Sequence, residues 1–223
     1  MPALVPPPAP ALAEGIFGAR LGLAQDFVAI LADSGVRHGL IGPREVPRLW
    51  ERHVLNCAVI GEAMPMAGAS VVDVGSGAGL PGLALALARP DLHVTLVEPM
   101  LRRTTWLSET IAALEVPNVE VCRGRAEELV GRLSADYVTA RAVAALETLV
   151  QWCAPLAKAG GELVLMKGAN ASAEIASATK AMGRLGLGPA SVRQVGLALP
   201  TPTTLVVARK VTQPKPRPGH RRR

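Results

Sequence analysis

The residues best suited to chemistry lie in VVDVGSGAGLPGLALALARP, residues 71–90, where glycines crowd a turn between two apolar runs. Glycine has no Cβ and tolerates positive φ, so such a turn brings backbone N–H groups against a ligand. The spacing fits two frames. One is G-x-G-x-G, which starts at Gly75 after Asp73, and the other is the G-x-G-x-x-G of dinucleotide enzymes, from Gly77 to Gly82. Both frames predict a nucleotide-like ligand.

Two further positions predict that this ligand contains adenosine. Glu98 ends the apolar run HVTLVE, where a carboxylate can accept both hydroxyls of a ribose. Ala126 and Glu127, in RGRAEEL, follow the next predicted strand, where a backbone N–H and a carboxylate can meet an adenine ring.

Asp73 favours S-adenosylmethionine over a dinucleotide. A carboxylate just before the turn opposes the pyrophosphate that a dinucleotide places at the helix N-terminus, but it suits an ammonium and a sulfonium. Asp73 could also only cap the turn through its own backbone. An NAD-dependent oxidoreductase that uses the other glycine frame, and a non-catalytic RNA-binding adaptor, remain as alternatives.

The surrounding pattern predicts an α/β fold. Residues 13–34 and the stretch after Pro43 have helical spacing, and after Gly68 short apolar runs alternate with helical stretches. Such alternation indicates a mostly parallel sheet with helices on both faces, and two final strands without a helix between them indicate an antiparallel edge. The predicted strands are residues 71–74, 93–97, 119–121, 137–140, 162–166, 191–198 and 203–208.

Composition fits one soluble domain, because 49% apolar residues suffice for a core. The longest apolar stretch that we identify, residues 80–88, is too short to span a membrane, and the prolines near the N-terminus would break a signal-peptide helix. Three cysteines without a C-x-x-C pair predict neither disulfides nor a metal site, which fits a reducing cytoplasm.

The net charge of +6 lies at the C-terminus. KVTQPKPRPGHRRR, residues 210–223, contains six of the 24 basic residues and no acidic residue, so that the rest of the chain has 18 basic and 18 acidic residues. A basic run interrupted by prolines attracts phosphates, although it could also serve only as a solubilising terminus.

Between residues 49 and 168 the segments RHVLN, DVGSGAGLPGLALALARP, RGRAEEL, ARAVAALETLVQWCAPL and LMKG occur in this order. In these segments the chain resembles the RsmG (GidB) family, bacterial methyltransferases that make N7-methylguanine in small-subunit ribosomal RNA. The resemblance implies a class I, Rossmann-like methyltransferase with a seven-stranded sheet and an N-terminal helical extension. It also implies S-adenosylmethionine as cofactor and 16S rRNA or the 30S subunit as partner.

The resemblance assigns cofactor contacts to Gly75, Leu80, Ala126, Glu127 and Arg141, and our reading of the residues adds Asp73, Gly77 and Glu98. Arg52 and His53 match an Arg-His pair of the family. The chain departs from the family at Asn56 and Cys57, where Asp-Ser is usual, and this departure lies in the N-terminal helical part.

The proposed reaction requires no strong general base, because guanine N7 loses no proton when it is alkylated. Positioning of the substrates should therefore supply most of the rate enhancement. Arg125, Arg141 and Lys167 follow strand ends on the ligand side, where they could hold phosphates or guanine O6. With His53, they are our predicted catalytic residues, although surface charge or helix capping are the simpler interpretations of some of them.

We therefore predict a cytoplasmic monomer without metal that does not bind membranes. The predicted divisions are a disordered leader (residues 1–12), a helical extension (13–68), a methyltransferase domain (69–210) and a disordered basic tail (211–223).

Overall fold

A computed structural model describes residues 5–141 and 144–211. In this part of the chain, seven strands form one sheet in the order β3-β2-β1-β4-β5-β7-β6. Strands β1 to β5 are parallel, and β7 is antiparallel to both β5 and β6. The strands are β1 (Ser70–Val74), β2 (His93–Glu98), β3 (Val119–Arg123), β4 (Ala135–Arg141), β5 (Ala157–Lys167), β6 (Ser191–Val195) and β7 (Thr203–Arg209).

Helices cover the sheet and build the N-terminal part. They are α1 (Leu12–Phe17), α2 (Leu21–Ile30), α3 (Leu55–Ala58), α4 (Gly82–Ala88), α5 (Leu101–Ala113), α6 (Leu146–Cys153) and α7 (Ala171–Arg184). Shorter 3₁₀ and π turns connect several of them, among them Pro43–Arg48 and Leu49–Val54, which precede α3. The predicted mostly parallel sheet with an antiparallel edge and an N-terminal helical extension is confirmed.

The core lies on both faces of the sheet. Val71 of β1 belongs to the cluster that contains Phe27, Leu49 and the side chains of α4, whereas the next residue, Val72, belongs to the cluster with α6 and α7. Successive side chains of a strand point to opposite faces, so β1 is buried on both sides and can be almost wholly apolar. Asp73 is the one charged residue of this strand, and it is fully buried.

The strand order places the site. Chain connections run outward in opposite directions from β1 and β4, which are neighbours in the sheet. A ligand binds in an open α/β sheet beyond the carboxyl ends of the strands at such a switch point. Asp73 pairs with Leu96 of β2 and with Thr139 of β4, so Asp73, Glu98 and Arg141 all lie at this edge.

The structure corrects two details near the C-terminal strands. The predicted strand 191–198 ends at Val195, because Gly196 turns the chain with φ +66 and packs closely on Val59. Lys210, which we counted with the basic tail, is 1% exposed and donates from Nζ to the carbonyl of Ala154 at 2.6 Å. The basic residues after it lie outside the described residues.

The helical run Leu12–Gly35 is, by length and composition alone, long and apolar enough to cross a membrane, and our sequence estimate overlooked it. This is weak evidence, because Ala24, Phe27 and Leu31 of the run are buried in the core cluster. The leader that precedes it is described from Val5 onward, and the carbonyl of Pro7 accepts a hydrogen bond of 3.1 Å from Trp50 Nε1.

Candidate active site

Asp73 lies fully buried at the end of β1, below the glycine turn. Its Oδ2 accepts a hydrogen bond of 2.9 Å from the backbone N–H of Gly82, the first residue of α4. Its Oδ1 is also buried and has no hydrogen-bond partner among the described residues. Burial raises the pKa of Asp73 to about 6, although the Gly82 N–H, Ser76 and the charge of Arg141 act in the opposite direction. An unpartnered buried carboxylate oxygen fits a ligand with a positive group.

We expected the backbone N–H groups of the glycine turn to face a ligand, but two of them are bonded within the protein. The N–H groups of Gly75 and Ser76 donate to the Val97 carbonyl of β2, at 2.8 and 3.1 Å. Gly75 has φ +75, and a Cβ built on it would meet nothing within 4 Å. A ligand can therefore approach this backbone, as the absence of a side chain predicts.

Glu98 closes the other side of the turn. It is 2% exposed, and its two oxygens accept hydrogen bonds of 3.1 Å from the N–H groups of Gly77 and Met100. Arg103, in the first turn of α5, lies 3.5 Å from Oε2 through Nη1. A carboxylate oxygen has two acceptor positions, so Oε1, which accepts only from Met100, can still accept from a ribose hydroxyl.

The predicted adenine-side residues follow β3. Ala126 is buried and Glu127 is exposed in the 3₁₀ turn Ala126–Leu129, and the chain before them is joined to β2 by the Gly124 N–H and the Glu98 carbonyl at 3.3 Å. Arg125 is exposed and lines a cleft together with Pro99. Arg125 follows β3 and Arg141 ends β4, and these strands are separated in the sheet by β2 and β1, so two of the predicted catalytic residues are not on neighbouring strands.

Arg141 and His53 are brought together, although they are 88 positions apart in the chain. Arg141 Nη1 lies 3.0 Å from His53 Nδ1, and His53 Nε2 lies 2.9 Å from Glu45 Oε2. Burial is the main reason that the pKa of His53 is lowered; Glu45 raises it, and Arg141 and Arg52 lower it. Sequence reasoning missed Glu45, since a carboxylate eight residues before a histidine is a weak signal.

The departure from the family pattern lies against the same arginine. Cys57 is fully buried, with its Sγ 3.8 Å from Arg141 Nη1 and 4.0 Å from Met166 Sδ. Burial raises the pKa of this thiol to about 11, so it remains protonated at neutral pH. The backbone carbonyl of Asn56 accepts a hydrogen bond of 3.0 Å from Oγ1 of Thr203, the first residue of β7.

Lys167 does not present its ammonium to a ligand as we expected. Its side chain is 7% exposed, and Nζ lies 2.7 Å from Glu174 Oε2 and donates to the Ala144 carbonyl at 3.1 Å. Glu174 also accepts from the N–H of Leu146 at 2.9 Å. A buried ammonium needs such partners. The lysine of the Lys-Gly motif therefore stabilises the segment around Ala144 and Leu146 and does not face a ligand. Leu80, predicted to touch the cofactor, is 3% exposed, so almost none of its surface is accessible for such a contact.

The sheet order, the glycine turn at the switch point and the two acidic strand ends define a Rossmann-like methyltransferase. Solved structures of this class share the fold at low sequence identity. Cofactor-bound Rv0187 from MTB matches with a TM-score of 0.54 and 18% identity over 91% of this chain and 95% of that one. TYW2 from M. jannaschii in complex with AdoMet has the same TM-score and identity over 70% of this chain and 72% of its own.

Sequence relatives are much closer. The ribosomal RNA small subunit methyltransferase G of Salinispora tropica is 49% identical over 98% of this chain and 94% of its own. The protein of that name from Pseudarthrobacter chlorophenolicus is 54% identical over 91% of this chain and 94% of its own. The family model GidB, rRNA small subunit methyltransferase G, matches residues 20–199. The chain therefore belongs to this family, and the resemblance found in the sequence is confirmed.

Proposed function

We propose that this methyltransferase transfers the methyl group of S-adenosylmethionine to N7 of a guanine in 16S rRNA. The observation that supports this best is the buried Asp73, whose Oδ1 has no partner, near the end of β1 beside β4, the strand that ends at Arg141, in a chain of the methyltransferase G family. The names of the relatives point to the small-subunit RNA, and the chemistry of N7 agrees with the residues of the site.

The site residues suit this cofactor. Asp73 Oδ1 is placed to attract a cationic group, Gly75 leaves room for close approach, and Glu98 Oε1 can accept from a ribose hydroxyl. Ala126, Glu127, Gly77 and Leu80 complete the proposed cofactor set. S-adenosylmethionine, when bound, supplies a methyl group on a sulfonium that is reactive without acid or base assistance.

The chain's own residues then have to position the guanine. Arg141, held by His53, is half-buried and has further donors beyond the one that His53 accepts. A guanidinium at this place can donate to guanine O6 or to a phosphate, which fixes the base with N7 towards the methyl group. Because N7 carries no proton that must be removed, no residue has to act as general base. Orientation of the base and exclusion of water lower the barrier to transfer.

Arg125 and the basic tail have other roles in this proposal. Arg125 is exposed beyond the ends of β2 and β3 and is assigned to a phosphate of the RNA. We assign no ligand contact to Lys167, because Glu174 occupies its ammonium. A cytoplasmic monomer acting on the 30S subunit or its RNA remains our prediction.

The test is methyl transfer by the purified full chain from labelled S-adenosylmethionine to 30S subunits and to naked 16S rRNA. We expect label in the RNA, at a guanine that becomes sensitive to strand cleavage after borohydride reduction and aniline treatment, as N7-methylguanine does. Tight binding of RNA without transfer would favour the adaptor, and binding of NAD instead of S-adenosylhomocysteine would favour the oxidoreductase. Either result would overturn the proposal.

A further inference from the structure

Three side chains from three separate segments form one hydrogen-bonded row at the edge of the site. Glu45 lies in the turn Pro43–Arg48, His53 in the turn Leu49–Val54, and Arg141 at the end of β4. Glu45 Oε2 and His53 Nε2 are 2.9 Å apart, and His53 Nδ1 and Arg141 Nη1 are 3.0 Å apart. The histidine therefore stands between a carboxylate and a guanidinium.

The donor on one side of His53, Arg141, and the acceptor on its other side, Glu45, determine the protonation state of the imidazole. A guanidinium only donates hydrogen bonds, so His53 Nδ1 must be unprotonated to accept from Arg141. The remaining proton then lies on Nε2 and is donated to Glu45. Only the neutral imidazole in this one tautomer satisfies both contacts, and a second proton on Nδ1 would face the guanidinium directly.

The surroundings favour this neutral state at physiological pH. The His53 side chain is 15% exposed, and its burial, with the charges of Arg141 and Arg52, lowers its pKa, while Glu45 acts against this. On the other side of Arg141 lie the thiol of Cys57, which remains protonated, and the charge of Asp73. Arg52 also lies 3.9 Å from Glu45 Oε2.

We propose that Glu45 and His53 are positioning residues that aim Arg141 at the guanine, and that protonation of His53 releases Arg141 and slows methyl transfer at acidic pH. This rests on the proposed function, in which Arg141 holds the reacting base. Without a neutral His53, the guanidinium loses an acceptor that orients it and gains a neighbouring positive charge. The rate of transfer should then fall as the pH drops through the titration of His53.

Two substitutions separate this role from a merely structural one. In His53→Asn, the amide Oδ1 stands near the position of Nδ1 and can accept from Arg141, but it does not titrate. In Glu45→Gln, the amide oxygen can still accept from Nε2, but the negative charge that favours protonation of His53 is lost. Matched controls are His38→Asn and Glu51→Gln, which change an exposed histidine and an exposed glutamate outside the row.

The experiment is single-turnover methylation from pH 5 to 8.5 at saturating S-adenosylmethionine and saturating 30S subunits. We expect an acid limb in the wild type and in both controls, and a limb displaced to lower pH in Glu45→Gln. In His53→Asn we expect only the fall in rate that protonation of Asp73 causes, because burial raises the pKa of Asp73 to about 6. At pH 7.5, His53→Asn should keep the rate within about tenfold of the wild type, whereas His53→Ala should approach the slow rate of Arg141→Ala.

A second measurement does not depend on activity. Long-range proton–nitrogen NMR of the full chain should show the Nε2-protonated tautomer of His53, with a titration midpoint that matches the kinetic limb. The proposal is overturned if the Nδ1-protonated tautomer is found or if the limb persists unchanged in His53→Asn. If Arg141→Ala transfers methyl groups at the wild-type rate, the role of Arg141 in the proposed function fails, and the positioning role falls with it. A slow Arg141→Ala with an unchanged limb in His53→Asn overturns the positioning role alone.

Discussion

Asp73 of β1 is tied to Gly82, the first residue of α4, by a hydrogen bond of 2.9 Å from the Gly82 N–H to Oδ2. A Cβ on Gly82 would lie 2.8 Å from the same oxygen and would also collide with Leu96 Cδ2. Gly82 is therefore glycine because the helix begins against the carboxylate. The other oxygen of Asp73 remains for the ligand, and the two roles of this side chain can be separated experimentally.

Asp73→Asn should stabilise the protein without cofactor at neutral pH and weaken its binding of S-adenosylmethionine. Burial raises the pKa of Asp73 from 3.8 to about 6, so between these values the folded state binds more protons than the unfolded state, and stability falls as pH rises. Removing the charge should increase the free energy of unfolding at pH 7.5 by on the order of 2 kcal/mol, and less at pH 5. Thermal melts at both pH values and calorimetry would measure this.

Asp26→Asn, which changes an exposed aspartate, is the control for that experiment and should alter neither quantity. A lower melting temperature of Asp73→Asn at pH 7.5 would show that the charge contributes to folding. Unchanged cofactor affinity would show that Oδ1 does not face the ligand.

Gly75→Val should abolish cofactor binding in a folded protein. A Cβ at this position would meet no protein atom within 4 Å, so a valine there would extend into the proposed ligand space. The positive φ adds strain of about 1–2 kcal/mol. Gly68→Val measures this strain alone, because Gly68 has φ +68, equally open space and no place in the proposed site.

We expect similar melting temperatures for the two glycine variants and a loss of affinity only in Gly75→Val, measured by calorimetry with S-adenosylhomocysteine. Normal affinity in folded Gly75→Val would contradict the assignment of the turn. Gly82→Ala should instead lower the melting temperature, because its Cβ meets Asp73 and Leu96.

Glu98→Gln should weaken cofactor binding by about 10- to 100-fold, or roughly 1.4–2.7 kcal/mol. Both carboxylate oxygens accept backbone N–H groups, so an amide must turn its own NH₂ towards either Gly77 or Met100. The ion pair with Arg103 is also lost. Affinity would be compared with that of Glu109→Gln, an exposed position on α5, and equal affinities would remove Glu98 from the site.

Removing residues 212–223 should weaken RNA binding without slowing methyl transfer at saturating RNA. The removed segment contains Lys215, Arg217 and Arg221–Arg223, whereas Lys210 stays because its side chain is buried. Loss of phosphate contacts should flatten the dependence of binding on salt concentration. Filter binding at several salt concentrations and single-turnover methylation would measure both effects, with Arg141→Ala as the contrasting variant that binds but transfers slowly.

If the truncated chain loses methyl transfer at saturating RNA and Arg141→Ala transfers normally, the assignment of the active site to Arg141 would be wrong, and the C-terminal segment would be the better candidate. Cofactor affinity serves as the control, and we expect it to be the same in the full and shortened chains.

The residues of the proposed cofactor site could be located from local sequence, since Asp73, the glycines and Glu98 lie at strand ends that the apolar pattern reveals. Each needs only its own strand and the parallel sheet to reach the common edge. The tail segment could be recognised as basic but Lys210 could not be recognised as buried, because that depends on how β7 packs on the chain near Ala154.

The amino-acid sequence by itself determined the fold class, the glycine turn with the carboxylate that precedes it, and the family, because strand periodicity and close motifs are local properties. Only the tertiary structure decided which charges are available to a ligand. Lys167 and Glu174, seven residues apart in the chain, neutralise each other, whereas Glu45, His53 and Arg141 meet from distant segments. An ammonium or a guanidinium has the same chemistry wherever it stands in the sequence, and its function depends on the partner that folding places within hydrogen-bond distance.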